Sequence, residues 1–148
     1  MNTRIDISKE NPAAYKAMLQ LSAFVAGTPL TRKHLDLIKI RASQINGCAF
    51  CIDMHTKDAR KQGETEQRIY GLNAWRDTPF YTEQERALLV LTEEVTLISK
   101  GGVSDETYAN AVAVLDEKYV AAAIMAIITI NAWNRIAIST HLEPVLAK

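Results

Sequence analysis

Cysteine is nearly absent from this 148-residue chain, and both of its cysteines fall in one run, CAFCIDMH. That scarcity excludes a disulfide scaffold and leaves no second pair to complete a four-cysteine zinc site. An excess of either charge is missing too. Seventeen Lys and Arg balance seventeen Asp and Glu, so no global field recruits nucleic acid or an anionic membrane. The start, MNTRIDISKENP, lacks the apolar core of a secretory signal. The longest apolar stretch, around Val120 to Ile130, is too short to cross a bilayer. These absences predict a cytoplasmic protein with no nucleic-acid or membrane partner. No run alternates with period two, no segment repeats, and no flavin, nicotinamide or haem-attachment fingerprint occurs. No cofactor is expected.

What remains is helical pattern. Asn11-Pro12 opens a helix expected over Pro12–Ala26, closed by Gly27-Thr28-Pro29. Thr31 caps a second, in which Leu35, Ile38, Ala42 and Ile45 recur at helical spacing, and Asn46-Gly47 ends it. A third runs from about Cys48 to Gln62, and a short one from about Glu64 to Asn73. Thr82 and Glu85 form a capping box for a long helix reaching about Ser99, and another begins near Ser104. The last, about Glu117 to Thr140, is apolar nearly all round over its first half. The pattern predicts one all-α domain over residues 1–148, with the last helix buried between subunits as well as within one.

Cys48, Cys51 and His55 carry the chemistry. Two thiols at this spacing can close a disulfide or ligate a metal, and in a reducing compartment such a pair is seldom structural. If Cys48 starts the third helix, Cys51 lies in its first turn, where free N–H groups and the helix dipole favour a thiolate. His55, four residues on, stacks on the same face and can take the thiol proton. A carboxylate should orient it. Asp36 lies eleven residues before Gly47 and His55 eight after, at roughly 16 and 12 Å from the corner of a helical hairpin at 1.5 Å per residue. Asp36 is therefore nominated to face His55. Zinc held by Cys48, Cys51 and His55, with Asp36 or water as fourth ligand, is the rival reading. Glu93 is read as a pocket residue or a solvated helix carboxylate. His34 and His141 are read as surface or cap residues, and Trp75, Trp133, Phe24 and Phe80 as core. Asn131, Asn134 and Arg135 share one face of the last helix and are read as a polar network.

The segment LDLIKIRASQINGCAFCIDMHTKDAR resembles the signature of AhpD-like alkylhydroperoxidases in the carboxymuconolactone decarboxylase superfamily. ERALLVLTEEVT (Glu85–Thr96) and INAWNRIAI (Ile130–Ile138) extend the resemblance. It implies an antioxidant thiol peroxidase acting on alkyl hydroperoxides or hydrogen peroxide. Cys51 would be the peroxide-reacting thiol, Cys48 the resolving one, and His55 with Asp36 the proton relay. It further implies an external dithiol reductant, such as a lipoylated protein, and a homotrimer or homohexamer. Two positions depart from the best-studied pattern: Asp36 stands for a glutamate, and Phe50 for a histidine between the cysteines. A general thiol–disulfide oxidoreductase, a zinc-binding interaction module and, as the superfamily name suggests, a decarboxylase acting on a lactone are the alternatives.

Overall fold

A side chain caps the start of each α-helix in the computed structural model, which describes residues 4–146. Asp6 caps α1 (Ile7–Glu10), a turn the sequence pattern did not announce, and Asn11 caps α2 (Pro12–Ala26). Thr31 accepts from the His34 N–H to open α3 (Arg32–Asn46), and Cys48 opens α4 (Ala49–Lys61). Thr65 caps α5 (Glu66–Gly71), which tightens into a 3-10 segment, Leu72–Asp77. The Thr82–Glu85 capping box opens α6 (Glu83–Thr96), Ser104 opens α7 (Asp105–Leu115) and Asp116 opens α8 (Glu117–Thr140). Each such cap satisfies one of the donors that a helix start leaves free. Among the described residues there is no strand, so the fold is all-α as the pattern predicts.

Differences lie at helix ends. The short fourth helix begins two residues later than expected because Thr65, rather than Gly63, sets its start. α6 ends at Thr96, three residues early, and the chain continues through a 3-10 turn, Ile98–Lys100, into Gly101 and Gly102. Both glycines have positive φ, 132° and 77°, which other residues adopt only with strain.

α3 is the central helix, flanked by α4, α6 and α8. Leu35, Ile38 and Ala42 on one side join Leu88, Leu91, Ala123 and Ile127. Leu37 and Ile40 on the other join Ala59, Leu72, Trp75 and Leu89. Full burial of each large aliphatic side chain stabilises by about 1.5–3 kcal/mol. α8 is 24 residues long with a mean hydropathy of 1.5 in its most apolar window, enough to cross a membrane by length and composition. The Val120 to Ile130 stretch alone understated it. In this fold α8 is a core helix, packed by α2, α3, α4, α6 and α7.

Candidate active site

The corner between α3 and α4 sets the thiols. Gly47 ends α3 in the left-handed region (φ 69°, ψ 32°), and Cys48 turns extended as the cap of α4. The Cys48 N–H returns to the Ser43 carbonyl at 3.0 Å, and the Cys48 Sγ accepts from the Cys51 N–H at 3.4 Å. Cys48 and Cys51 are joined as a disulfide, their Cα atoms 5.3 Å apart, and both side chains are buried. Cys51 thus lies in the first turn of α4, as the pattern predicts.

A polar network holds the corner in place. The Asn46 side-chain amide donates to the Oδ1 atoms of Asn131 and Asn134, each at 2.9 Å, and Asn134 donates to Ser43 Oγ at 3.0 Å. Asn131 also donates to Thr96 Oγ1, and Arg135 donates back to Asn131. This network joins the C-terminal turn of α3 to α8, as expected of these residues. Among the described residues no buried side-chain donor behind the disulfide is left without a partner.

Cys51 and His55 open into one cavity of about 380 Å³ between α2, α4 and α8. Its walls are mostly apolar: Leu19, Val25, Phe50, Met54, Ile130, Trp133 and Ile136 line it. Trp133 is fixed by an Nε1 hydrogen bond to Ser22 Oγ at 2.8 Å and by the edge of Tyr15. Among the described residues Lys39 is the one lysine or arginine lining it. Burial, and after it the Lys39 charge, together bring the His55 pKa from 6.5 to about 4 against the opposing effect of Asp58. His55 is therefore neutral at pH 7 and able to accept a proton.

That depression sets a pH dependence of stability. The unfolded chain protonates His55 near pH 6.5, whereas the folded chain resists until about pH 4. The His55 contribution is thus complete above pH 6.5 and is lost as pH falls toward 4, in full about 3 kcal/mol. Buried His34, also lowered, acts with the same sign, and Asp36, raised by burial, acts with the opposite sign. Urea midpoints at pH 7 and pH 4.5 should fall less in His55→Asn than in the parent. An equal fall in both would remove His55 as the source.

Asp36 does not meet His55. It is buried on α3 but lines a different cavity, of about 310 Å³, with Arg32, Lys33, Gln62 and Glu64. No hydrogen bond joins it to His55 among the described residues. Height along the hairpin nominated Asp36, but rotation about α3 decides which side chain reaches the pocket. Lys39 stands eight residues before Gly47, level with His55 eight after, and it enters the pocket instead. Equal counts from the corner were the signal that could have found it.

The remaining candidates have structural places. Glu93 is neither solvated nor in the pocket: it binds Arg41, Arg76 and the Trp75 indole N–H, the last at 2.8 Å. His34 is buried rather than a surface or cap residue, its Nδ1 paired with the Tyr119 hydroxyl at 2.6 Å. His141 caps α8 in the left-handed region and borders a second cleft, of about 340 Å³, with Cys48, Phe50 and Ile138. Among the described residues no group of three or more His, Cys, Asp or Glu stands close enough to hold a metal ion.

The sequence profile of the carboxymuconolactone decarboxylase family matches residues 12–94, which include α3, the cysteine corner and α4. The chain belongs to this family. Within it, the chain is 45% identical over 139 residues to the uncharacterized protein YdfG of Bacillus subtilis, covering 94% of this chain and 95% of YdfG. It is 41% identical to a solved protein of unknown function from Agrobacterium tumefaciens, proposed to be the antioxidant defence protein AhpD. That likeness has a TM-score of 0.96 over 99% of this chain and 100% of the other. The debrominase Bmp8 shares the fold at 17% identity, with a TM-score of 0.83 over 93% of this chain and 73% of Bmp8. This family member is thus AhpD-like in fold and sequence, with Asp36 and Phe50 as its departures. Phe50 lines both the thiol cavity and the cleft beside Cys48.

Proposed function

We propose that this AhpD-like protein is a thiol-dependent peroxidase that reduces alkyl hydroperoxides or hydrogen peroxide. The observation that supports it is the shared opening of Cys51 and His55 into one largely apolar cavity, with Cys48 within bonding distance behind them. In the reduced protein His55 takes the Cys51 proton. The thiolate then attacks the terminal oxygen of the hydroperoxide. The S–O bond forms, the O–O bond breaks, and the departing alkoxide takes the proton from His55 and leaves as alcohol. Cys51 is now a sulfenic acid. The Cys48 thiol attacks its sulfur, closing the disulfide and releasing water.

An external dithiol completes the cycle, itself oxidised to a disulfide as Cys48 and Cys51 regain their protons. A lipoylated protein has the required chemistry. A reducing compartment such as the cytoplasm suits the cycle. Exposed Leu19, Ile138 and Phe24, the last expected in the core, lie on α2 and α8 and support self-association as a homotrimer or homohexamer. The zinc reading is disfavoured because both sulfurs bond to each other and Asp36 opens elsewhere.

Stopped-flow mixing of the reduced protein with hydrogen peroxide and with cumene hydroperoxide tests the proposal. The expected result is thiol loss at a rate proportional to peroxide, followed by a Cys48–Cys51 disulfide in the mass spectrum. Absence of any reaction beyond that of free thiol would overturn it. Exchange with dithiols persisting in that case would leave thiol–disulfide oxidoreduction as the activity.

A further inference from the structure

Lys39 is unaccounted for by the thiol chemistry above, yet among the described residues it alone brings a cationic side chain to the cavity. The α2 and α8 walls contribute only uncharged side chains, among them Tyr15, Ser22 and Thr129. From α4 come Cys51 and His55, with Asp58 acting from outside the cavity. On α3 itself Asp36 and Arg32 act on Lys39, one turn and two turns back. Among the described residues no carboxylate forms a direct ion pair with Lys39, so its ammonium donors are not spent on a partner. A half-buried ammonium facing apolar walls costs desolvation unless an anion appears nearby.

We propose that the Lys39 ammonium is the fixed positive charge of the thiol cavity, stabilising the Cys51 thiolate of the reduced protein, with Asp36 behind it as counter-charge. The geometry resolves a difficulty in the His55 role. A proton left on His55 would stand beside the Lys39 charge, which disfavours it. With Lys39 present, the resting reduced pocket can hold a Cys51 anion beside a neutral His55. His55 then carries the proton only in passing. Burial lowers the Lys39 pKa, and Asp36, in the adjacent cavity, opposes that and favours the charged form. The carboxylate nominated for the relay therefore acts through Lys39 rather than on His55.

The part of the proposal that concerns peroxide rests on the peroxidase reading, because the same charge would also stabilise the alkoxide as the O–O bond breaks. The thiolate part does not, so the two can fail separately. The experiment uses reduced protein in a Cys48→Ser background, which leaves Cys51 as the single thiol. Its alkylation rate by iodoacetamide is measured against pH in the parent, Lys39→Met and Lys39→Arg. Folding of each is checked by circular dichroism and urea unfolding.

Lys39→Met should move the Cys51 profile upward and slow alkylation at pH 7 about tenfold, the low end of the shift that a nearby opposite charge produces. Lys39→Arg should restore it, and the His55 imidazole should titrate higher in Lys39→Met by proton NMR. An unshifted profile in folded Lys39→Met would overturn the proposal. So would a slowed rate that Lys39→Arg leaves unrepaired, since the side chain would then matter for its shape and not its charge. If Lys39→Met fails to fold, Lys39→Gln supplies the same comparison. Should the profile shift while the parent shows no peroxide reaction, Lys39 keeps its role and the peroxidase reading fails. Peroxide reduction with an unshifted profile would give the opposite outcome.

Discussion

Cys51→Ser should abolish peroxide turnover, a fall of more than about a thousandfold to the uncatalysed background. A serine hydroxyl at the start of α4 neither ionises at neutral pH nor accepts oxygen from a peroxide, so nothing in the cavity replaces it. Cys48→Ser should separate the steps. Cys51 would still react once, but with no thiol at position 48, whose Cα lies 5.3 Å from that of Cys51, the sulfenic acid would persist. Dimedone labelling and a mass gain of one oxygen would report it, while continuous turnover with a dithiol would slow sharply. Unchanged turnover in both variants would remove the thiol mechanism and return the site to a structural reading.

Glu85→Leu should destabilise the fold by about 3–5 kcal/mol, read as a lower urea midpoint with an unchanged slope. Glu85 is 2% exposed and is the hub of the α5–α6 connection. It takes the Arg68 guanidinium at 2.6 Å and the Thr82 N–H at 2.8 Å, and Lys33 approaches at 3.8 Å. Burial alone would raise its carboxyl, but the Arg68 and Thr82 hydrogen bonds outweigh that and hold it below the usual range. Arg68 in turn holds Glu64 at 2.9 Å, the Phe80 carbonyl and the Tyr81 ring. Removing Glu85 leaves that guanidinium half-paired in a site built for two carboxylates. The double variant Arg68→Met with Glu85→Leu should recover most of the loss, because no charge is then stranded. A double variant no more stable than Glu85→Leu would show that packing, not the unpaired charge, sets the cost.

Local chemistry was legible where a residue acts on its own helix. Thr31, Thr82 and Ser104 cap the helices that their spacing predicted, since a cap bonds only two or three residues ahead. The Cys48, Cys51 and His55 stripe was legible for the same reason: three and four residues make one turn. The polar face of Asn131, Asn134 and Arg135 was readable as a network, though not its partners Ser43, Asn46 and Thr96. Glu93 was not readable, because its three donors come from α3 and from the segment before α6.

The sequence by itself determined an all-α chain with two thiols and a base at the start of one helix, and its AhpD-like membership. Those follow from spacing within a turn and from a contiguous signature. Only the tertiary structure decided what stands opposite that stripe. The count along the hairpin placed Asp36 near the right height, but height is one of two coordinates. The other is rotation about the α3 axis, which the packing of Ile38 and Leu35 toward α8 and of Leu37 and Ile40 toward α4 and the Trp75 segment sets. That rotation turns Lys39 into the thiol cavity and leaves Asp36 in the cavity next to it. Side chains three residues apart on one helix differ by a sixth of a turn or so, and here that angle separates a cation in the cavity from a carboxylate outside it.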